Sequence, residues 1–309
     1  MTSEIEWKPE ICVLGPGGMK GFLELGALIL LQKRKFLDKV HTYVCCSVGA
    51  PLGLYTVMGC PLIEVIDEAM ATDLFKELTT VKFEDIKQNV GLINNREIKE
   101  QLSQRCVDRM GFVPTLKELH EATGLTFVCV TVNLDTDEVE YLSWETDPNL
   151  SAVDATLLSM NIPLLFHKIR YKGFTYIDGA FGNPYPVDFL DNGKRRILGI
   201  SITTKHPFLA DSTDSDNLRY VYKVLNASIT QLKKRIVSSA SGAVKHLLLH
   251  SPTMDTTGLT MTFEMKLQML TIGYQAAKKF VNQEMYQISP SQTEKYLEII
   301  ESSEEIRYE

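Results

Sequence analysis

The sequence predicts an α/β protein built on a mostly parallel sheet. Three observations carry that prediction: short apolar runs that read as strands, glycine- or serine-bearing loops that break them, and helical apolar patterns directly behind the loops. Composition agrees with a folded globular chain. The 309 residues are 44% hydrophobic and 23% charged, which disfavours collagen-like repeats, wholesale disorder and a long coiled coil.

Residues 11–14 form a short apolar run that ends in Gly15-Pro16-Gly17-Gly18, and a helix-like segment follows over 19–32. Residues 43–46 form a second run, broken at Ser47-Val48-Gly49, with a helical pattern from 50 to 58 behind it. Together these segments predict a βαβ unit with parallel strands. Thr115 offers an N-cap with Glu118 as its capping-box partner, and Gly124 is placed to close that helix. Residues 125–132 then read as a buried strand, and Asp135-Thr136-Asp137 as the polar turn of a hairpin leading into 139–144. That acidic turn lacks the spaced oxygen ligands and central glycine of a calcium loop, so a plain turn is expected.

Residues 152–160 look helical and stop before Pro163. After Asp178 comes a loop with Gly182, Asn183, Pro184 and Pro186, then a strand over 197–202, then the polar stretch 211–217, which is the best internal boundary. Beyond it Leu218, Val221, Leu225, Ile229, Leu232 and Ile236 recur at helical spacing, as a core face would. The expected organisation is a catalytic core over residues 8–210 and a mainly helical region, 211–309, packing on the same domain.

The formal net charge of −7 would repel a phosphate backbone, so nucleic acid is not an expected partner. Lys33-Arg34-Lys35 and Lys194-Arg195-Arg196 read as solvated surface, the alternative being contact with an anionic headgroup. The six cysteines form no CxxC pair and several lie in apolar runs, which predicts reduced, structural thiols in an intracellular protein. Glu4, Glu6 and Glu10 stand where a secretory signal needs basic and then apolar residues. The longest helical apolar stretch, 22–31, contains Glu24 and falls short of the roughly 18 residues a membrane span requires. The expectation is a cytoplasmic protein, with peripheral membrane contact left open.

Three segments carry candidate chemistry: Gly15-Pro16-Gly17-Gly18-Met19-Lys20-Gly21, Cys45-Cys46-Ser47-Val48-Gly49, and Asp178-Gly179-Ala180. The first is not a phosphate-binding Walker loop, because Lys20 is followed by Gly21 and Phe22 instead of Ser or Thr. Nor does the second strand end in the acidic residue of a dinucleotide site. Amides around Gly17 and Gly18 at a helix start suit a developing oxyanion, the alternative being a glycine-rich turn without a ligand. The second segment puts Ser47 on a strand-to-helix turn with the Val48 amide free to join the hole, which is nucleophile-elbow logic, against a plain turn or N-cap serine. Gly17 and Ser47 lie one βαβ unit apart and would share one carboxyl edge of the sheet, where open α/β sheets bind ligands. A serine needs a base. None of the six histidines lies in an evident catalytic loop, and Asp178, between an apolar run and Gly179, is the better candidate, against a simple Asp-Gly turn.

In this order and at these separations the three segments resemble those of the patatin-like phospholipase family. The resemblance implies a three-layer α/β/α fold with a mostly parallel central sheet and a Ser-Asp dyad that hydrolyses acyl esters without a catalytic metal or other cofactor. It implies Ser47 as nucleophile, Asp178 as proton acceptor, the Gly17, Gly18 and Met19 backbone as oxyanion hole, and Lys20 at the family's basic position. Gly21, Gly49 and Gly179 complete the three motifs. Pro16 and Cys45 depart from the family by replacing the first glycine of the hole loop and of the elbow, without removing a reacting group. The expected function is a phospholipase A-type lipid acyl hydrolase acting on phospholipid or other acyl-ester lipid, with transient peripheral membrane contact. The runner-up is a catalytically silent lipid-binding or interaction protein that keeps the fold.

Overall fold

The computed structural model describes residues 7–71, 91–204, 217–251 and 261–285. The expected boundary at 211–217 lies almost wholly outside them. Strands β1 (Ile11–Leu14), β2 (Thr42–Cys46), β4 (Thr126–Asn133), β9 (Ile197–Thr204) and β10 (Val244–Ser251) form the parallel body of the sheet in the order β10-β9-β1-β2-β4. Three antiparallel strands complete it: β5 (Glu138–Leu142) and β8 (Phe174–Asp178) pair with β4, and β7 (Ile169–Tyr171) pairs with β8. A separate parallel pair joins β3 (Gly91–Ile93) to β6 (Leu164–Phe166).

Alternation along the strands makes two cores. In β1, Cys12 and Leu14 face one hydrophobic cluster while Ile11 and Val13 face the other. The larger cluster gathers the helices α1 (Gly21–Lys33), α2 (Gly49–Val57), α3 (Val65–Ala71), α4 (Arg96–Met110), α5 (Leu116–Thr123), α6 (Ala152–Ser159) and α8 (Phe263–Met285). The smaller cluster lies against α7 (Asn217–Ser239), whose Ile229, Ile236 and Val237 cover it, as helical spacing along this segment predicts. The result is three layers, helix on sheet on helix.

Helix α1 is apolar on nearly every side because nearly every side is covered. Its tightest neighbour is α8, where Gly26 and Gly273 let the backbones meet: a Cβ at Gly26 would overlap the Leu270 carbonyl, and one at Gly273 the Leu23 carbonyl. Local signals fold as read. Thr115 Oγ1 accepts from the Glu118 amide (3.2 Å), Glu118 Oε2 accepts from the Thr115 amide (2.8 Å), and Gly124 closes α5 at φ +69°. All six cysteines are free and buried.

Two differences from the sequence reading concern the termini of this frame. Residues 18–20 form a 3-10 turn, so α1 begins at Gly21 and not at 19. The C-terminal region supplies a strand as well as helices, because β10 pairs with β9 along its whole length. Its pattern, Val244-Lys245-His246-Leu247-Leu248-Leu249-His250, mixes buried and exposed positions as an edge strand does. Among the described residues no helix is long and apolar enough to cross a membrane.

Candidate active site

Ser47 follows the last residue of β2 and holds φ +57°, the left-handed region that a non-glycine residue enters only under constraint. The turn is tight because α2 starts two residues later, at Gly49, where a Cβ would stand 2.8 Å from the Leu14 carbonyl oxygen of β1. Cys45, in place of the usual glycine, points into the larger core. Gly53 makes room for it, since a Cβ there would overlap the Cys45 sulfur.

Sheet register explains why Ser47 and Asp178 meet. Strand β4 has two edges, and β5 occupies one of them from Cys129 to Asn133. On the other edge β2 runs parallel up to the pair Cys46 with Val130, and β8 runs antiparallel down to the pair Asp178 with Thr131. Val130 and Thr131 are consecutive, so the two strands approach head to head with their carboxyl ends about one residue spacing, ~3.4 Å, apart along β4. The residue that leaves β2 is Ser47, and the residue that ends β8 is Asp178. Gly179 permits the junction because a Cβ there would overlap the Val130 carbonyl.

One turn of chain clamps both ends. The Ser47 amide donates to Ser159 Oγ (3.2 Å), whose hydroxyl reaches the Cys45 carbonyl (3.5 Å). Two residues on, the Asn161 carbonyl accepts from the Asp178 amide (2.9 Å) and the Asn161 side-chain amide donates to the Tyr176 carbonyl (2.9 Å). Both side chains are buried. Sequence reasoning did not single out either as part of the site; the polar pair Ser159 and Asn161 in an otherwise apolar helix end was the available signal. Replacing Ser159 by Ala orphans the buried Ser47 amide, which costs about 1–3 kcal/mol. A fall in melting temperature together with slower modification of Ser47 is the expected result, whereas unchanged stability would show that this hydrogen bond does not hold the turn.

Asp178 is 1% exposed. Burial raises its pKa from 3.8 to about 7, while the Ser47 hydroxyl and the Ala180 amide, which donates to Oδ1 at 2.8 Å, favour the ionised form. Oδ2 makes no well-aligned hydrogen bond. That oxygen is the acceptor available to a hydroxyl proton.

The loop ahead of α1 completes the arrangement. Gly18 takes φ +54° and opens the 3-10 turn, whose leading amides have no acceptor within the turn. Gly18, Met19, Ser47 and Val48 line one cavity together. Gly21 packs on Val48, where a Cβ would stand 2.5 Å from Cγ2, and Gly17 packs on Ile202. Lys20 follows at the start of α1, its pKa lowered by burial. Behind this loop lies a pair of buried titratable side chains that sequence reasoning also missed. Glu24 is fully buried with neither carboxyl oxygen in a well-aligned hydrogen bond, and burial holds its pKa well above the ordinary value while Lys233 and the Gly15 amide favour the ionised form. The second is Lys233 of α7, whose pKa burial lowers and whose Nζ donates to the Ile202 carbonyl (3.0 Å).

The cavity measures about 190 Å³ and leads away from Ser47 between α1, α2, α3 and α4. Phe22, Leu25, Leu52, Ile98, Leu102 and Phe166 make its wall apolar. Four of the six histidines are engaged elsewhere, His41 with Thr42, His120 with the Leu125 carbonyl, His246 with Tyr185 and His250 with Thr203; the His167 backbone amide donates to the Ile93 carbonyl as the chain leaves β6, and His206 lies outside the described residues. Among the described residues there is no group of three or more side chains able to hold a metal ion.

A family model described as patatin-like phospholipase matches residues 12–191, more than half of the chain. The chain belongs to the patatin-like phospholipase family. This patatin-like protein is therefore a member of a lipid-hydrolysing family, and the match spans both strand ends that meet on β4. It is 26% identical over 232 residues to a protein described as probable lipid hydrolase 463L of Invertebrate iridescent virus 6, with 71% of this chain and 77% of the relative covered. Among solved structures, VipD from Legionella pneumophila matches 90% of this chain and 67% of its own at TM-score 0.56 and 17% identity. The type III effector ExoU matches 90% of this chain and 54% of its own at TM-score 0.51 and 15% identity. Both likenesses concern the fold.

Proposed function

We propose that this patatin-like protein is a lipid acyl hydrolase of phospholipase A type, which cleaves carboxylic esters through an acyl-enzyme formed on Ser47. The observation that carries the proposal is the head-to-head approach of β2 and β8 on β4, which brings the Ser47 hydroxyl to the buried Asp178 carboxyl. Asp178 draws the hydroxyl proton, and the serine oxygen attacks the ester carbonyl. Amides of the Gly17–Met19 loop and of Val48 hold the oxyanion, each such donor contributing about 3 kcal/mol to barrier lowering. The tetrahedral intermediate collapses, the ester C–O bond breaks and the alcohol leaves with the proton held by Asp178. Asp178 then draws a proton from water, whose oxygen attacks the acyl-enzyme and releases the carboxylic acid, the proton returning to Ser47. A pKa near 7 suits an acceptor working at neutral pH. Lys20, Gly21, Gly49 and Gly179 support the site by packing and charge, and the substrate is a phospholipid or related acyl-ester lipid met by transient contact with a lipid surface.

A fluorophosphonate probe tests the reading. Wild type takes the label and cleaves carboxylic esters, and Ser47→Ala does neither. Absence of both labelling and cleavage in wild type would favour a silent lipid-binding protein, and equal cleavage by Ser47→Ala would rule out Ser47 as the nucleophile.

A further inference from the structure

Among the described residues, the apolar cavity beside Ser47 is lined on its helical walls by three polar side chains, Tyr55, Glu68 and Gln101. Its walls are helical stripes: Leu52 and Tyr55 on α2, Val65, Glu68 and Ala69 on α3, and Ile98, Gln101 and Leu102 on α4. Phe22 and Leu25 of α1 and Pro51 and Leu52 of α2 contribute apolar lining. Farther along, the Tyr55 hydroxyl donates to Glu68 Oε1 (3.3 Å), and Arg105, one turn beyond Gln101 and Leu102 on α4, pairs with Glu68 Oε2. Glu68 and Arg105 are about three-quarters buried, with side-chain exposures of 25% and 23%.

Tyr55 stands six residues after Gly49, so at 1.5 Å per residue its backbone lies about 9 Å along the helix axis from the first residue of α2. An extended octanoyl chain matches that span. A longer chain would have to lie against the ion pair and strip water from it, which apolar contact does not offset.

We infer that the Tyr55–Glu68–Arg105 cluster is a polar stop that sets acyl-chain length, making this protein selective for medium-chain acyl esters. The inference rests on the proposed hydrolase reading, and concerns its substrate class. Up to the stop, each methylene buried in the cavity raises kcat/KM about fourfold. Past it the gain ends and reverses.

The test is a series of p-nitrophenyl butyrate, octanoate, dodecanoate and palmitate, read as kcat/KM for wild type and two variants of opposite effect. Wild type peaks at octanoate. Glu68→Leu/Arg105→Leu replaces the ion pair with apolar volume and raises the dodecanoate-to-octanoate ratio at least tenfold, its fold being checked by circular dichroism and thermal melting. Ala69→Phe fills part of the cavity beside Glu68 and moves the peak to a chain shorter than octanoate, so the inference stays testable if the double variant does not fold. A wild-type peak at palmitate, or one length profile shared by wild type and whichever variants fold, overturns the polar stop while leaving the hydrolase reading intact. Failure of wild type to cleave any ester or take a fluorophosphonate label overturns the hydrolase reading, and the stop with it.

Discussion

Replacing Asp178 by asparagine is expected to cut ester turnover by about a thousandfold or more while stabilising the fold above neutral pH. Asparagine keeps an oxygen that can accept from the Ala180 amide, so the strand end and its loop persist, but it cannot take the Ser47 proton. The stability effect follows from burial. With a folded-state pKa near 7 against 3.8 in an exposed chain, the carboxyl binds its proton more tightly when folded. Its contribution is therefore fully present below pH 4 and is lost as pH rises toward 7, above which the native state carries an unfavourable buried charge. Asparagine removes that charge. Wild type should lose about tenfold in kcat/KM for each pH unit below 7, and Asp178→Asn should melt higher than wild type at pH 8 by more than at pH 5. Retained turnover in the variant would remove Asp178 as acceptor; equal melting at pH 8 would show that the carboxyl does not ionise against its surroundings.

Substituting Ala for Gly273 is expected to give the largest loss of stability, about 3 kcal/mol or more, because the added methyl meets backbone and not a movable side chain. A melting temperature lower by about 5 °C or more is the corresponding shift for a chain of 309 residues. The same variant tests whether residues 211–309 and 8–210 form one unit, as we propose from the pairing of β10 with β9 and of α8 with α1. A single transition that moves as a whole supports one unit. Two transitions, of which only the smaller moves, would separate the C-terminal region from the core, and an unchanged melt would show that the two helices do not cross at Gly26 and Gly273.

Residues close in sequence wrote their structure into the chain. The Thr115 and Glu118 capping box, the hairpin at Asp135-Thr136-Asp137 and the strand-loop-helix units at Gly15 and Ser47 depend on side chains within a few residues of one another, so pattern and propensity reach them. The strand at 244–251 was harder to read because an edge strand half open to solvent has no clean alternation. Glu24 was legible only as an odd residue in an apolar helix; that α7 brings Lys233 toward it is a fact about two segments some two hundred residues apart.

The sequence by itself determined the parallel α/β frame, the glycine-rich loop before α1, the turn that carries Ser47 and the nature of the groups available for chemistry. Tertiary structure alone decided where they meet. Asp178 reaches Ser47 only because β8 enters the β4 edge from the opposite direction and stops one residue short of β2, with Ser159 and Asn161 tying both ends to one turn. Such register is a property of strand pairing, set by burial of both sheet faces together, and no local stretch of residues encodes it.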